Sequence, residues 1–372
     1  MANTFLTAQQ IAREALVRLH SNMVMAGLVY TDYAKEFAKQ GDTIQVKKPA
    51  VFVADDFGGT INLQDVGESN VLVKMDKIAD VSVEVSSSEL TMNVDNFGTQ
   101  ILDGATLAIA EKVDRELCGL YADIPYYAGV SGTTPSSLTD IASPMKVLNT
   151  NRVPNAQRNL VMDPEAQAKL IVLDAIAGAD KSGTTAALRE ASMGRLMGFD
   201  TYMDQNIKTH IAGGYTSSTG AKATGTKGAY VVALAATSGT GCLNKGDLLV
   251  IKGSQYVVTS TTSAASANAI GAVSIYPALK ENYSNENVTF PDASKGGHVA
   301  SLAFHKNAFS LVSRPMELPM GGANAYVATA PNGLSLRVVM GYNMTTKKNV
   351  VSIDLLYGVK TLYNELACRM LG

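Results

Sequence analysis

Four histidines, three cysteines and a few paired carboxylates are the residues of this 372-residue chain from which catalysis or metal binding would have to be built. Zinc-type chemistry uses histidines or cysteines at short fixed spacings that bring two ligands to one face of a helix or turn. His20, His210, His298 and His305 fall in no HxxxH or HExxH pattern, and Cys118, Cys242 and Cys368 are odd in number, far apart and in no metal-ligand spacing. The cysteines read as reduced structural thiols and the histidines as surface or hydrogen-bonded groups. Gly178-Ala179-Asp180-Lys181-Ser182-Gly183-Thr184 has the composition of a phosphate-cradling loop, but its lysine precedes the second glycine, so it reads as a flexible loop. Asp55 and Asp56 are chemically able to ligate a cation or to act as acid and base. Set in a glycine-rich tip, they read instead as solvated or partner-facing. The expectation is a protein with no catalytic residue, no cofactor-binding residue, no metal ligand and no cofactor.

Composition supports that direction. Hydrophobic residues make up 46% and charged residues 17%, which suits an ordered globular chain long enough for more than one core. The net charge of -2 lacks the basic excess of a phosphate-neutralising protein, so sequence-specific nucleic-acid binding is not expected. No apolar run approaches the roughly 20 residues that cross a bilayer. Met1 to Gln10 carry no secretory pattern, and the chain is expected to fold in the cytoplasm.

The elements that would position these residues can be read in order. Ile11, Ala15, Leu16, Leu19, Met23 and Met25 suit a short amphipathic helix with Thr7 as a possible cap, whose apolar face is available to a neighbour. Ile44 and Val46 begin a strand, Asp55 to Glu68 form an acidic glycine-rich tip, and strand character returns from Val71 to Val85. The spacing of Leu102, Ala105, Ile109, Val113, Leu117 and Leu120 predicts one helix over 96–123, roughly 40 Å long, with Glu111 and Arg115 as an i,i+4 pair. A helix near Ser143, a strand at Asn159–Met162 and a helix after Asp163-Pro164 follow. Residues 213–297 then change to Gly, Ser, Thr and Ala clusters between short strands, as in a small barrel. Strands at Ser310–Ser313, Leu334–Met340 and Val350–Val359 close the chain, Gly321-Gly322 reads as a turn, and Met23, Met25, Met193, Met197 and Met203 read as core or interface filler.

Several stretches carry a resemblance. Gly41 to Val46 resembles the start of the extended loop, and Ala110 to Leu117 the end of the spine helix, of the tailed-phage major capsid fold, the Hong Kong ninety-seven type. Gly194 to Tyr202 resembles its axial segment, where members often read GxxxGF before a strand. His305 to Val312 resembles a returning strand and Leu356 to Val359 the closing strand. The order resembles most the coat-protein group with an inserted β-barrel domain.

That resemblance implies an α+β fold divided into an N-terminal arm (1–40), an extended loop with flanking strands (41–86), a peripheral domain with the spine helix (87–135), a first axial part (136–212), an inserted β-barrel domain (213–297) and return strands (298–372). It implies a structural coat protein, not an enzyme, that assembles as pentamers and hexamers into an icosahedral shell around double-stranded DNA, in a virion assembled in the host cytoplasm. Scaffolding, portal and decoration proteins are the implied partners. The arm and loop are expected to reach over adjacent subunits, with Asp55, Asp56, Asp65 and Glu68 meeting Lys47, Lys48, Lys347 or Lys348. No crosslinking Lys, Asn and Glu set can be mapped. An encapsulin-like compartment shell and an α/β enzyme with a β insert stand as the alternatives.

Overall fold

The computed structural model describes residues 8–31, 43–47, 70–86, 103–178, 186–215, 220–236, 239–266, 268–292, 297–319, 324–329, 333–345 and 348–372. Outside them lie Thr7, the acidic tip, residues 96–102 with Leu102, the loop from Ala179 to Thr184 and the Gly321-Gly322 turn. The chain divides into two compact units, one of residues 1–22, 31–110 and 310–362 and the other of 23–30, 111–309 and 363–372.

The first unit is built on long antiparallel strands. Lys348–Thr361 pairs with Ser335–Asn343 and also with Lys77–Ser86, while Asn324–Thr329 extends the sheet beyond Ser335–Asn343. Its inner face follows the two-residue period of a strand: Leu336 and Val338 are buried and sit opposite Leu355 and Ile353. Thr43–Lys47 and Asn70–Lys74 form a separate antiparallel pair, the base of the expected hairpin. Helix Ala8–Asn22 buries Ile11, Ala12, Ala15 and Leu19 and packs on Asn324–Thr329 and Ser335–Asn343. This corrects the expectation for its apolar face, which is covered by the chain's own sheet and not held free for a neighbour. Val17, on the opposite side, is 70% exposed.

The predicted spine helix is found as Asp103–Cys118, with a 3-10 turn at Gly119–Asp123. Ala105, Ile109, Val113 and Leu117 make the buried stripe, while Leu120 is only half-buried, because the tighter turn rotates it off that stripe. Glu111 and Arg115 are both exposed, and no ion pair joins them among the described residues.

The second unit centres on a seven-stranded mixed sheet. Its order runs Tyr127–Gly129, Ala367–Leu371, His298–His305, Arg158–Met162, Phe199–Met203 and Arg195–Leu196, with Thr209–His210 added on His298–His305. Every residue of Arg158–Met162 and of Ala367–Leu371 is buried, as central strands require. Helix Leu138–Thr150 contributes Ile141 and Leu148 to a core with Leu160, Met162, Phe199, Ala303 and Met370. It begins ahead of the predicted Ser143 because Pro144 lies inside the helix and not in its first turn. The real start is a capping box between Ser137 and Asp140. The following helix, Pro164–Ile171, starts as read, with the Asp163 carboxylate accepting from Ala166 N at 3.2 Å. The strands Arg195–Leu196 and Phe199–Met203 meet in a two-residue turn with φ of 48° at Met197 and 85° at Gly198. Both central residues are left-handed, the conformation that tight hairpins need and that Gly198 adopts at no steric cost. Met197 is therefore an exposed turn residue and not core filler.

Six strands, Ala221–Gly225, Val231–Ala235, Leu248–Ile251, Ser254–Val258, Ala269–Tyr276 and Tyr283–Thr289, close into a barrel. Closure removes the exposed edges that short polar strands would otherwise present. Inside it, Ala223, Val232, Leu234, Leu249, Ile251, Val258, Val273 and Ile275 enclose Tyr256 and Tyr283, whose hydroxyls lie 2.9 Å apart. The Tyr256 hydroxyl also accepts from Lys280 N at 3.2 Å. Tyr256→Phe is expected to remove one hydrogen bond from the buried Tyr283 hydroxyl and one from the Lys280 amide, at a cost of about 0.5–1.5 kcal/mol per bond. Urea unfolding of the two proteins measures it, and an unchanged midpoint would mean that water replaces the lost hydroxyl.

Candidate functional site

Of the eight residues expected at contacts, Asp55, Asp56, Asp65, Glu68, Lys48 and Lys347 lie outside the described residues. Lys47 ends the strand Thr43–Lys47, and its side chain is not described. Lys348 is described: its Nζ stands 2.8 Å from Glu84 on the paired strand of the same chain. Both side chains are about half-exposed, so the pair contributes little to stability.

His210 and His305 are hydrogen-bonded, as read, whereas His298 departs from that reading. His210, His298 and His305 are all buried, and the side chain of His20 is not described. His305 Nδ1 accepts from Asn307 N at 3.2 Å, an ordinary local cap. His210 Nε2 lies 2.9 Å from Asp247 Oδ1 and 3.7 Å from Asp292 Oδ2, and its Nδ1 lies 2.9 Å from the Tyr121 hydroxyl. His298 packs beside it with ring centroids 5.2 Å apart, yet neither of its ring nitrogens has a hydrogen-bond partner. Burial pushes the His298 ring down to about 3, helped by neighbouring His210 and Arg369, so it stands neutral at neutral pH.

Backbone geometry holds this cluster in place. Asp247 Oδ2 accepts from Asn244 N at 2.8 Å and Gly213 N at 3.1 Å, and Asp292 Oδ2 accepts from Leu248 N at 2.7 Å. Arg369, on the central strand Ala367–Leu371, is sealed from water beside them. Its Nε donates to Ile124 O at 2.8 Å, a second nitrogen donates to Gly246 O at 2.7 Å, and its plane lies 5.4 Å from the centre of the Tyr121 ring. Burial lowers the guanidinium to about 10, against the pull of Asp292, Tyr121 and Asp247, and it remains charged at neutral pH. These residues are tens to hundreds of positions apart, so no short motif could have marked them.

A second buried carboxyl, Asp114 on the long helix, accepts from Val24 N at 2.8 Å and so ties the short turn Met25–Gly27. Its other oxygen has no partner. Cys118, one turn on, is buried and its thiol is held well up by burial and by Asp204, as suits an inert structural thiol. A cleft of about 470 Å³ lies elsewhere in the same unit, lined by Tyr126, Tyr127, Lys146, Asn151, Gln255 and Lys280 among others. No histidine, cysteine or carboxylate lines it.

Burial raises Asp114 to about 7, against the backbone donors at Val24, Ala26 and Met25 that lower it and with nearby Asp204 adding to the rise. A raised carboxyl binds its proton more tightly in the folded than in the unfolded chain, so its contribution is complete below about pH 4 and is lost as pH climbs through 7. Relative to Asp114→Asn, the native chain should therefore lose on the order of 1–3 kcal/mol between pH 5 and pH 8. Urea titrations of both proteins across that range give the difference directly, and a difference independent of pH would mean that the carboxyl is solvated.

No protein-family model matches the chain, and no curated protein matches it. Solved structures do. A chain of Mycobacterium phage Che8, 15% identical, aligns over 93% of this chain and 90% of its own length with a TM-score of 0.53. A chain of the capsid structure of the cyanophage P-SCSP1u, 11% identical, aligns over 93% and 87% with a TM-score of 0.52. At these identities the likeness is one of architecture: this chain has the fold of those phage chains.

Proposed function

We propose that this protein is the major capsid protein of a tailed phage, a structural subunit that assembles as pentamers and hexamers into an icosahedral shell. The observation that carries the reading is the shared fold, which covers 93% of the chain with little left over for a different activity. In this reading the barrel is the inserted domain, the seven-stranded sheet is the axial domain, and the long helix and the long-stranded sheet belong to the peripheral domain.

Such a shell encloses double-stranded DNA without reading its sequence, in keeping with a net charge of -2. It is completed by scaffolding, portal and decoration proteins and assembled in the host cytoplasm. Contacts between neighbours run through the extended loop, where Asp55, Asp56, Asp65 and Glu68 meet Lys47, Lys48 and Lys347 of adjacent subunits. Lys348 is already paired with Glu84. Each contact is weak alone, and closure of a shell makes many weak contacts act together.

Negative-stain electron microscopy with light scattering on the protein, alone and with its scaffolding partner, is the direct test. Closed shells or curved sheets are the expected outcome, and a small species under every condition would overturn the reading. Reversing the charges of Asp55, Asp56, Asp65 and Glu68 should lower shell yield while leaving the melting temperature of the isolated subunit unchanged. Equal yields would remove the acidic tip from the contacts.

A further inference from the structure

The cluster at the base of the barrel has features that hydrogen bonding alone leaves unexplained. One ligand atom each from His210, Asp247 and Asp292 lie within 4.8 Å of one another, and all three residues are buried. The two separations from His210 Nε2, 2.9 and 3.7 Å, bracket the roughly 3.3 Å between ligand atoms that tetrahedral bonds of about 2.0–2.1 Å impose. The supporting contacts are those that orient metal ligands: Tyr121 on the far nitrogen of His210, two backbone amides on Asp247 and one on Asp292. Asp292 Oδ1 and both nitrogens of His298, a residue 2% exposed, have no partner at all. An unsatisfied buried acceptor is costly, and several together in one place indicate a missing ligand.

Charge leads to the same conclusion. Arg369 is the nearby cation, yet its hydrogen bonds go to the carbonyls of Ile124 and Gly246 and its face rests on Tyr121. Two buried carboxylates are thus left with no bonded cation among the described residues other than a protonated His210. A divalent ion would neutralise them without drawing on Arg369.

We infer that His210, Asp247 and Asp292 form a structural site for a divalent cation of the zinc or manganese class, beside the unpartnered ring of His298. The nitrogen and oxygen donor set suits those ions and disfavours soft, thiolate-seeking ones. His210 lies where the chain leaves the sheet, Asp247 immediately precedes a barrel strand and Asp292 follows the last one, so the ion would tie the barrel to the sheet at its base. This inference does not depend on the capsid reading, since its test reads metal content and not assembly.

Elemental analysis of the full-length protein, purified without chelator from cells supplemented with zinc or manganese, should find about one ion per chain. Chelator should lower the melting temperature and Zn²⁺ or Mn²⁺ restore it, with neither effect in Asp292→Asn. Tyr121→Phe keeps the aromatic ring and removes only the orienting hydroxyl, so it guards against a ligand variant that fails to fold. It should weaken affinity roughly 10- to 100-fold. Full-length protein that carries no metal, and whose melting temperature responds to neither ion nor chelator, would show a shared proton in place of a cation and overturn the site.

Discussion

A guanidinium with no access to water must be solvated by the protein itself, and at Arg369 this requirement organises the second unit. The side chain leaves a strand buried on all five residues, so its charge cannot reach the surface. The carbonyls that receive it belong to Ile124, just past the long helix, and Gly246, in the turn before a barrel strand. The ring below it is Tyr121. One charge therefore fixes the C-terminal strand, the end of the long helix and the base of the barrel against one another. Removing a partner from such a centre is costly because the charge would then stay buried and unpaired.

The same centre separates what could be read from the sequence from what could not. Elements built on local periodicity were readable: the four-residue stripe from Ala105 to Leu117, the Asp163-Pro164 helix start and the alternation in the strands after Val299. Errors arose where local rules compete. The helix expected near Ser143 starts earlier, at the Ser137–Asp140 box. Ala221–Gly225 carries little strand signal because its residues are small, and the register of Tyr283–Thr289 shifts between Tyr283 and Glu286, which breaks the two-residue period. The His210, Asp247, Asp292 and Arg369 cluster left no local trace, since each residue sits on a different element and only the folded topology gathers them.

The amphipathic helix Ala8–Asn22 teaches a related point. Its apolar stripe was evident from spacing, but a stripe states only that a partner exists. The partner is the sheet of the same unit, which covers Ile11, Ala15 and Leu19 and leaves the face around Val17 outward. Anchoring this helix on its own sheet fixes its geometry within the unit.

His210 and His298 are direct partners in the antiparallel register that joins Thr209–His210 to His298–His305, so the chain leaves the sheet and returns to it at adjacent points. Roughly ninety residues intervene, and closing so long a loop from an open chain would carry the full entropic penalty. The barrel lowers it. Its strands Leu248–Ile251, Ser254–Val258 and Ala269–Tyr276 pair with near neighbours in sequence, and Tyr283–Thr289 pairs with Ala221–Gly225 to bring its two ends side by side. Once formed, it holds its two ends together, and for the sheet around Arg369 the effective contact order becomes that of a short hairpin. The closed barrel thus shortens the loop that the sheet must close between His210 and His298.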